Sequence, residues 1–161
     1  MENFIFLSDI QNGIEEREKV NKGILQLKDG GLIGDIYIWN DGSWYYGESK
    51  NTYAHGNGVQ YEVDKNDYCR YVGEFKNGKY HGYGKYRHFN GEYYDGEWRN
   101  NNRHGKGTII YSNGDMFSGQ WYKHYREGIG VYIYNKPRKR TKGFKAFWKN
   151  DRIAYYIELL Q

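Results

Sequence analysis

The chain has 161 residues, enough for one ordinary domain and too few for a repeat array joined to a separate catalytic domain. Hydrophobic residues make up 38% of it, half of them aromatic, with 19 Tyr and 5 Trp and a mean hydropathy of -1.04; this excludes a thick aliphatic core and leaves burial to rings that each cover about 150 to 250 Å². A net charge of +4, a single cysteine and no apolar run near the ~20 residues of a bilayer span exclude an internal disulfide and a membrane-spanning helix, and the expectation is a cytoplasmic protein.

Residues 1–22 read as an N-terminal cap, with a short strand or helical turn near Phe4 to Ile10 and a polar helix near Ile14 to Val20. The apolar patch at Phe4 to Leu7 has no basic stretch before it and soon turns acidic, so neither a secretory signal nor a transit peptide fits. From Gly23 the alternation of a strand sets in: GILQLK, an Asp29-Gly30-Gly31 turn, LIGDIYIW, then Asn40-Asp41-Gly42. Residues 23–44 are thus expected to form a first, degenerate hairpin.

Residues 71–93 and 94–116 then superimpose almost letter for letter, as YVGEFKNGKYHGYGKYRHFNGEY and YDGEWRNNNRHGKGTIIYSNGDM. Worn copies flank them, at 45–70 with Gly47 and the His55-Gly56-x-Gly58 cluster, and at 117–143 with Gly119, Trp121, Gly128 and Gly130. A last partial copy from Phe144 keeps Trp148 and has Ala146 at the glycine position. Worn ends around clean inner copies are what an array with capping units shows. The pattern resembles the MORN repeat (membrane occupation and recognition nexus), YxGxWxxGxxHGxGxxxxxxGxxY. That resemblance implies an all-β, elongated single-layer antiparallel sheet. It also implies a binding or scaffolding module, in some members linked to membranes or the cytoskeleton, rather than an enzyme.

Within Tyr71-Val72-Gly73-Glu74-Phe75 a period of two puts both rings and the glycine on one face. The glycine leaves a slot for a ring. Each repeat is therefore expected to be a hairpin and the array a meander that advances about 10 Å per repeat. On the ring face Tyr71, Phe75, Tyr86, Tyr94, Trp98, Tyr111, Phe117, Trp121 and Trp148 form the expected trough for a protein partner, a helix or an extended peptide. On the other face Glu48, Glu74, Glu97 and Gln120 read as a solvated row.

No catalytic residue, metal or cofactor is expected. His55, His81 and His104 recur about 10 Å apart, too far to share a zinc ion whose ligands stand about 2.1 Å from it, so each is read as holding its own hairpin by a local hydrogen bond. Cys69 has no distinct base partner, and the Gly-x-Gly pairs are not followed by Lys-Ser or Lys-Thr.

The segment from Lys136 to Lys149 carries seven basic residues and no acid, and Lys136, Arg138, Lys139, Arg140 and Lys142 are the candidate contacts for an anionic surface. An acidic protein or lipid headgroups suit it better than nucleic acid. Residues 150–161 change period: Ile153, Tyr156, Ile157 and Leu160 have helical spacing, and Asn150 or Asp151 suits an N-cap, so a short amphipathic helix is expected to cover the sheet edge. The favoured function is a non-enzymatic adaptor that takes a protein segment in the aromatic trough, within a cytoskeletal or ciliary assembly. The alternative is a peripheral membrane module that meets anionic lipid through residues 136–149.

Overall fold

The structure of the protein, a computed structural model, describes residues 35–64, 67–138 and 141–160. Among the described residues eleven strands follow one another: β1 (Asp35–Ile38), β2 (Trp44–Lys50), β3 (Tyr53–Asp64), β4 (Asp67–Lys76), β5 (Lys79–Arg87), β6 (Tyr93–Arg99), β7 (Asn102–Ile110), β8 (Met116–Tyr122), β9 (Tyr125–Arg138), β10 (Thr141–Lys149) and β11 (Arg152–Leu160). Each pairs antiparallel with the next, so the sheet is one open meander in sequence order. The expected cap at 1–22 and the first strand of the 23–44 hairpin lie outside the described residues.

Two kinds of connection alternate. Asn51-Thr52, Asn77-Gly78, Asn100-Asn101, Lys123-His124 and Asn150-Asp151 each close a hairpin in two residues, both with φ between +48° and +74°. This is the geometry of a type I′ turn, whose twist matches that of the flanking strands. At the opposite end of the strands, the side chain of Asp41, Asn90 or Asn113 accepts a hydrogen bond from the amide two residues on. Successive hairpins are tied at the type I′ end. There the amides of Gly78, Asn101, His124 and Asp151 donate to the carbonyls of Ala54, Tyr80, Arg103 and Arg126 of the preceding hairpin at 2.9 to 3.2 Å.

A row of glycines crosses the sheet. Gly47, Gly58, Gly73, Gly84, Gly96, Gly107, Gly119 and Gly130 face one another strand by strand from β2 to β9, and Ala146 of β10 ends the row. The first ring of each repeat lies over this row: a Cβ at Gly84 or Gly107 would stand 2.2 Å from Oη of Tyr71 or Tyr94, and one at Gly130 would stand 2.3 Å from Phe117. Glycine is therefore required by the close approach of a ring. The ring's hydroxyl is satisfied locally, because Tyr45, Tyr71 and Tyr94 donate to the carbonyls of Glu48, Glu74 and Glu97 at 2.5, 2.9 and 3.0 Å.

The second ring of each repeat joins neighbouring hairpins. Tyr45, Phe75, Tyr71, Trp98, Tyr94, Trp121, Phe117 and Trp148 meet edge to face in that order, with centroids 4.9 to 5.5 Å apart and planes at 76° to 89°. Each such pair contributes about 0.5 to 1.5 kcal/mol beyond area burial. Trp98 and Trp121 also donate from Nε1 to the carbonyls of Gly84 and Gly107 in the hairpin before, both at 3.0 Å. The core of this single-layer protein is thus a continuous herringbone of rings on one face of the sheet.

The expected C-terminal helix is not formed. Residues 152–160 are β11, paired with β10 through Trp148↔Ile153, Ala146↔Tyr156 and Phe144↔Leu159. Two register shifts, between Lys145 and Ala146 and between Phe147 and Trp148, explain the misleading pattern. The shifts leave Ala154 and Ile157 as extra residues in β11, so Ile153 and Tyr156, opposite Trp148 and Ala146, stand three apart and Ile157 follows at once, a spacing that imitates a helix. Asn150 and Asp151, read as N-caps, form the type I′ turn with φ of 49° and 63°.

The buried phenols make the fold sensitive to alkali. Burial is the first cause that pushes Tyr45, Tyr71, Tyr80, Tyr86 and Tyr94 well above the ordinary value near 10, and the same cause raises Tyr132 to about 12. Above pH 10 the unfolded chain loses phenolic protons that the folded chain keeps, so stability is complete below that pH and falls as the pH rises toward the folded values. Phenolate absorbance followed from pH 9 to 13 is expected to show, for these rings, a cooperative rise that coincides with loss of the β signal, whereas titration of all 19 tyrosines near pH 10 with the sheet intact would contradict their placement.

Candidate functional site

The structure separates the nine expected trough residues into two groups. Tyr71, Phe75, Tyr94, Trp98, Phe117, Trp121 and Trp148 are buried as the core itself, whereas Tyr86 and Tyr111 are half-buried and pack against it. All lie on one side of the sheet, because one register runs through the repeats. The buried rings present little surface to a partner; they are covered by one another and by the residue that precedes a His-Gly or Glu-Gly step. Tyr80 stacks on Tyr71 with centroids 3.8 Å apart, Arg103 lies 4.6 Å over Trp121, and Arg126 lies 4.1 Å over Trp148.

The glutamates expected as a solvated row are exposed, and they hold the backbone as well. Oε1 of Glu48, Glu74 and Glu97 accepts from the amides of Asn57, Tyr83 and Lys106 at 2.9, 2.8 and 2.8 Å. Each carboxylate closes over the glycine after a repeat histidine, where a Cβ would stand 2.4 Å from it at Gly56, Gly82 or Gly105, all with φ between +56° and +65°. The amide of Asn57 is the first cause that holds the Glu48 carboxyl below the usual range. The histidines differ from expectation too: Nδ1 of His55 and of His81 is buried without a hydrogen-bond partner among the described residues. It is the His81 carbonyl that accepts, from Tyr71 Oη at 3.4 Å. Among the described residues no group of three or more His, Cys, Asp or Glu side chains converges as metal ligands would.

One cavity of about 240 Å³ opens on the ring face between the second and third hairpins. Tyr86, Tyr94 and Trp98 of the expected trough line it, together with Glu62, Glu92, Arg103 and His124, none of which the repeat pattern had marked as binding residues. Glu62 accepts from Tyr80 Oη at 2.9 Å and Gln60 Nε2 at 3.1 Å, which fixes one wall. On the opposite wall Arg103 donates from Nε to Nδ1 of His124 at 3.2 Å. Burial lowers the pKa of both Arg103 and His124, and the nearby guanidinium lowers His124 further. The sequence signal for this site is a single column, Ala54, Tyr80, Arg103 and Arg126, in which otherwise equivalent positions change character.

Of the basic segment, Lys136 and Lys142 are exposed, while the Arg138 side chain and residues Lys139 and Arg140 lie outside what the structure describes. A second basic feature follows from the meander: Lys50, Lys76, Lys79, Arg99, Lys123 and Lys149 are all exposed, and all stand in or beside the type I′ turns at one end of the strands. No helix among the described residues is long and apolar enough to cross a membrane.

No curated protein matches the chain. The family model of the MORN repeat matches it three times in succession, at residues 71–93, 94–116 and 117–136. These are the hairpins in which the ring, glycine and His-Gly or Glu-Gly positions build the herringbone, and residues 71–136 of the chain are three consecutive MORN repeats.

Proposed function

We propose that this protein is a non-enzymatic adaptor that binds a protein segment, a helix or an extended peptide, across the ring face of the sheet. MORN repeats are commonly modules for interaction with proteins or membranes. The observation that supports the protein reading is the cavity on this face, where the half-buried ring of Tyr86, backed by the buried rings of Tyr80, Tyr94 and Trp98, stands beside a few polar groups held in fixed positions. Such a mixture of rigid rings and oriented polar groups is what gives a binding hot spot. A place in a cytoskeletal or ciliary assembly, with a cytoplasmic location, accords with an adaptor of this kind.

The exposed lysines and Arg99 along the turn end favour a second reading, a peripheral module on anionic lipid, with residues 136–149 adding to the same charge. The two readings are separated by affinity capture with the whole chain carrying either Tyr86→Ala, at the cavity, or charge reversal of Arg138, Lys139 and Arg140. The adaptor reading expects the first variant to lose the captured protein at least tenfold and the second to keep it at physiological salt. The opposite result, together with sedimentation of the protein on phosphatidylserine vesicles at physiological salt, would move the function to the membrane.

A further inference from the structure

The column of residues before the His-Gly step provides its own control for what the cavity lacks. In the fourth repeat Arg126 is neutralised by the following turn: Asp151 Oδ1 accepts from Arg126 Nε at 2.9 Å and from its amide at 2.8 Å, and the Asp151 carbonyl accepts from Nη2 at 3.2 Å. Arg103 occupies the same position one repeat earlier, with its guanidinium over Trp121 and Tyr94 as that of Arg126 is over Trp148 and Phe117. The turn residue that reaches back to it is His124, whose amide donates to the Arg103 carbonyl at 3.0 Å as that of Asp151 does to Arg126. In place of a carboxylate, Arg103 therefore receives one neutral ring nitrogen. Among the described residues its two Nη nitrogens meet no acceptor and it makes no ion pair.

The charges of Glu92 and Asp151 act on this half-buried guanidinium, but neither carboxylate forms a hydrogen bond with it, whereas a planar carboxylate brought by a partner can take up both Nη groups at once. We propose that Arg103 is the anchor for a carboxylate side chain, Asp or Glu, presented by the protein segment that binds the ring face. This rests on the adaptor reading and adds the chemistry of the partner to it. Glu62 and Glu92 line the same cavity, and their charges oppose a polyanion such as a phosphate ester while leaving room for one carboxylate seated by directed hydrogen bonds. The half-buried ring of Tyr86 would pack against the methylenes of that side chain.

The test is an NMR titration of the whole chain with N-acetyl-glutamate amide, following the Arg103 Nε–H and Trp121 Nε1–H signals. Saturable shifts at both are expected, absent with N-acetyl-glutamine amide and not reproduced by inorganic phosphate. His124→Asp restores the arrangement seen at Arg126, so it is expected to fold, to raise the melting temperature and to weaken the glutamate response at least tenfold. Arg103→Lys, which keeps the charge but not the planar fork, is expected to weaken the Trp121 shift similarly. No saturable shift, an equal response in His124→Asp, or a stronger response to phosphate would overturn the carboxylate assignment. Should that happen while Tyr86→Ala still abolishes capture, the ring face binds its partner without a carboxylate, and the adaptor reading stands by itself.

Discussion

Gly96→Ala is expected to destabilise the protein by the upper end of the about 1 to 3 kcal/mol typical of overpacking, although only one methyl group is added. A Cβ at Gly96 would stand 2.5 Å from the Cα of Gly107 and 2.7 Å from the carbonyl of Lys106, and backbone of a paired strand cannot turn aside as a side chain can. Gly73→Ala should behave alike, since its Cβ would stand 2.5 Å from the Cα of Gly84. Gly91→Ala provides the contrast: nothing lies within 4 Å of its Cβ, and its cost is confined to the strain of a φ of 91°. Urea unfolding of the three variants measures this. Equal losses at Gly96 and Gly91 would mean that conformational freedom, and not the close approach across the sheet, explains the glycine row.

Trp98→Ala is expected to cost about 3 to 5 kcal/mol, the range for removing a large buried ring. Trp98 is 6% exposed, meets Tyr71 and Tyr94 edge to face at 5.5 and 5.1 Å, and holds the carbonyl of Gly84 through Nε1. It therefore links the second hairpin to the third, and its loss should weaken the sheet at that junction before any effect on a partner is measured. Trp98→Phe keeps most of the ring area and loses the hydrogen bond, so it should cost about 1 to 2 kcal/mol. Circular dichroism of both variants during denaturation checks the order. A fully stable Trp98→Ala protein would show that this ring is a surface residue, available as a binding contact in the way the sequence pattern suggests.

The repeat period made most of the sheet legible. The two clean copies at 71–93 and 94–116 placed the rings and glycines on one face, and the meander followed from two strands per repeat. What the period did not reveal was which polar atoms the backbone uses. A glutamate that recurs every repeat looks solvated in a pattern of alternating faces, yet the positive φ of Gly56, Gly82 and Gly105 bends the returning strand so that the next amide points at the carboxylate. The same kind of irregularity hid β11, where two extra residues converted the alternation of a strand into the spacing of a helix.

The candidate site was harder to read because a repeat consensus highlights what is common, whereas binding depends on what differs. Tyr71, Tyr94 and Phe117 recur because they are core, and their burial at 0%, 2% and 0% leaves them no free face. Arg103 stands out only when its column is read against the turn that follows, where His124 occupies the place that Asp151 takes opposite Arg126. A chain can thus have an unmistakable fold and still conceal its specificity in one exchanged residue.

Gly58, Gly84, Gly107 and Gly130 on the returning strands are glycine because the first ring of the same repeat fills the place of a Cβ, a claim that the pair Gly107 and Tyr94 puts to the test. The three nearest atoms to a Cβ at Gly107 are Oη, Cζ and Cε2 of Tyr94, at 2.2, 2.5 and 2.7 Å. A double-mutant cycle on urea stability should then show Gly107→Ala costing about 1 to 3 kcal/mol in the natural chain, and becoming neutral or stabilising by up to about 1 kcal/mol once Tyr94→Leu has removed those atoms. An alanine at 107 that costs the same in both backgrounds would contradict the claim.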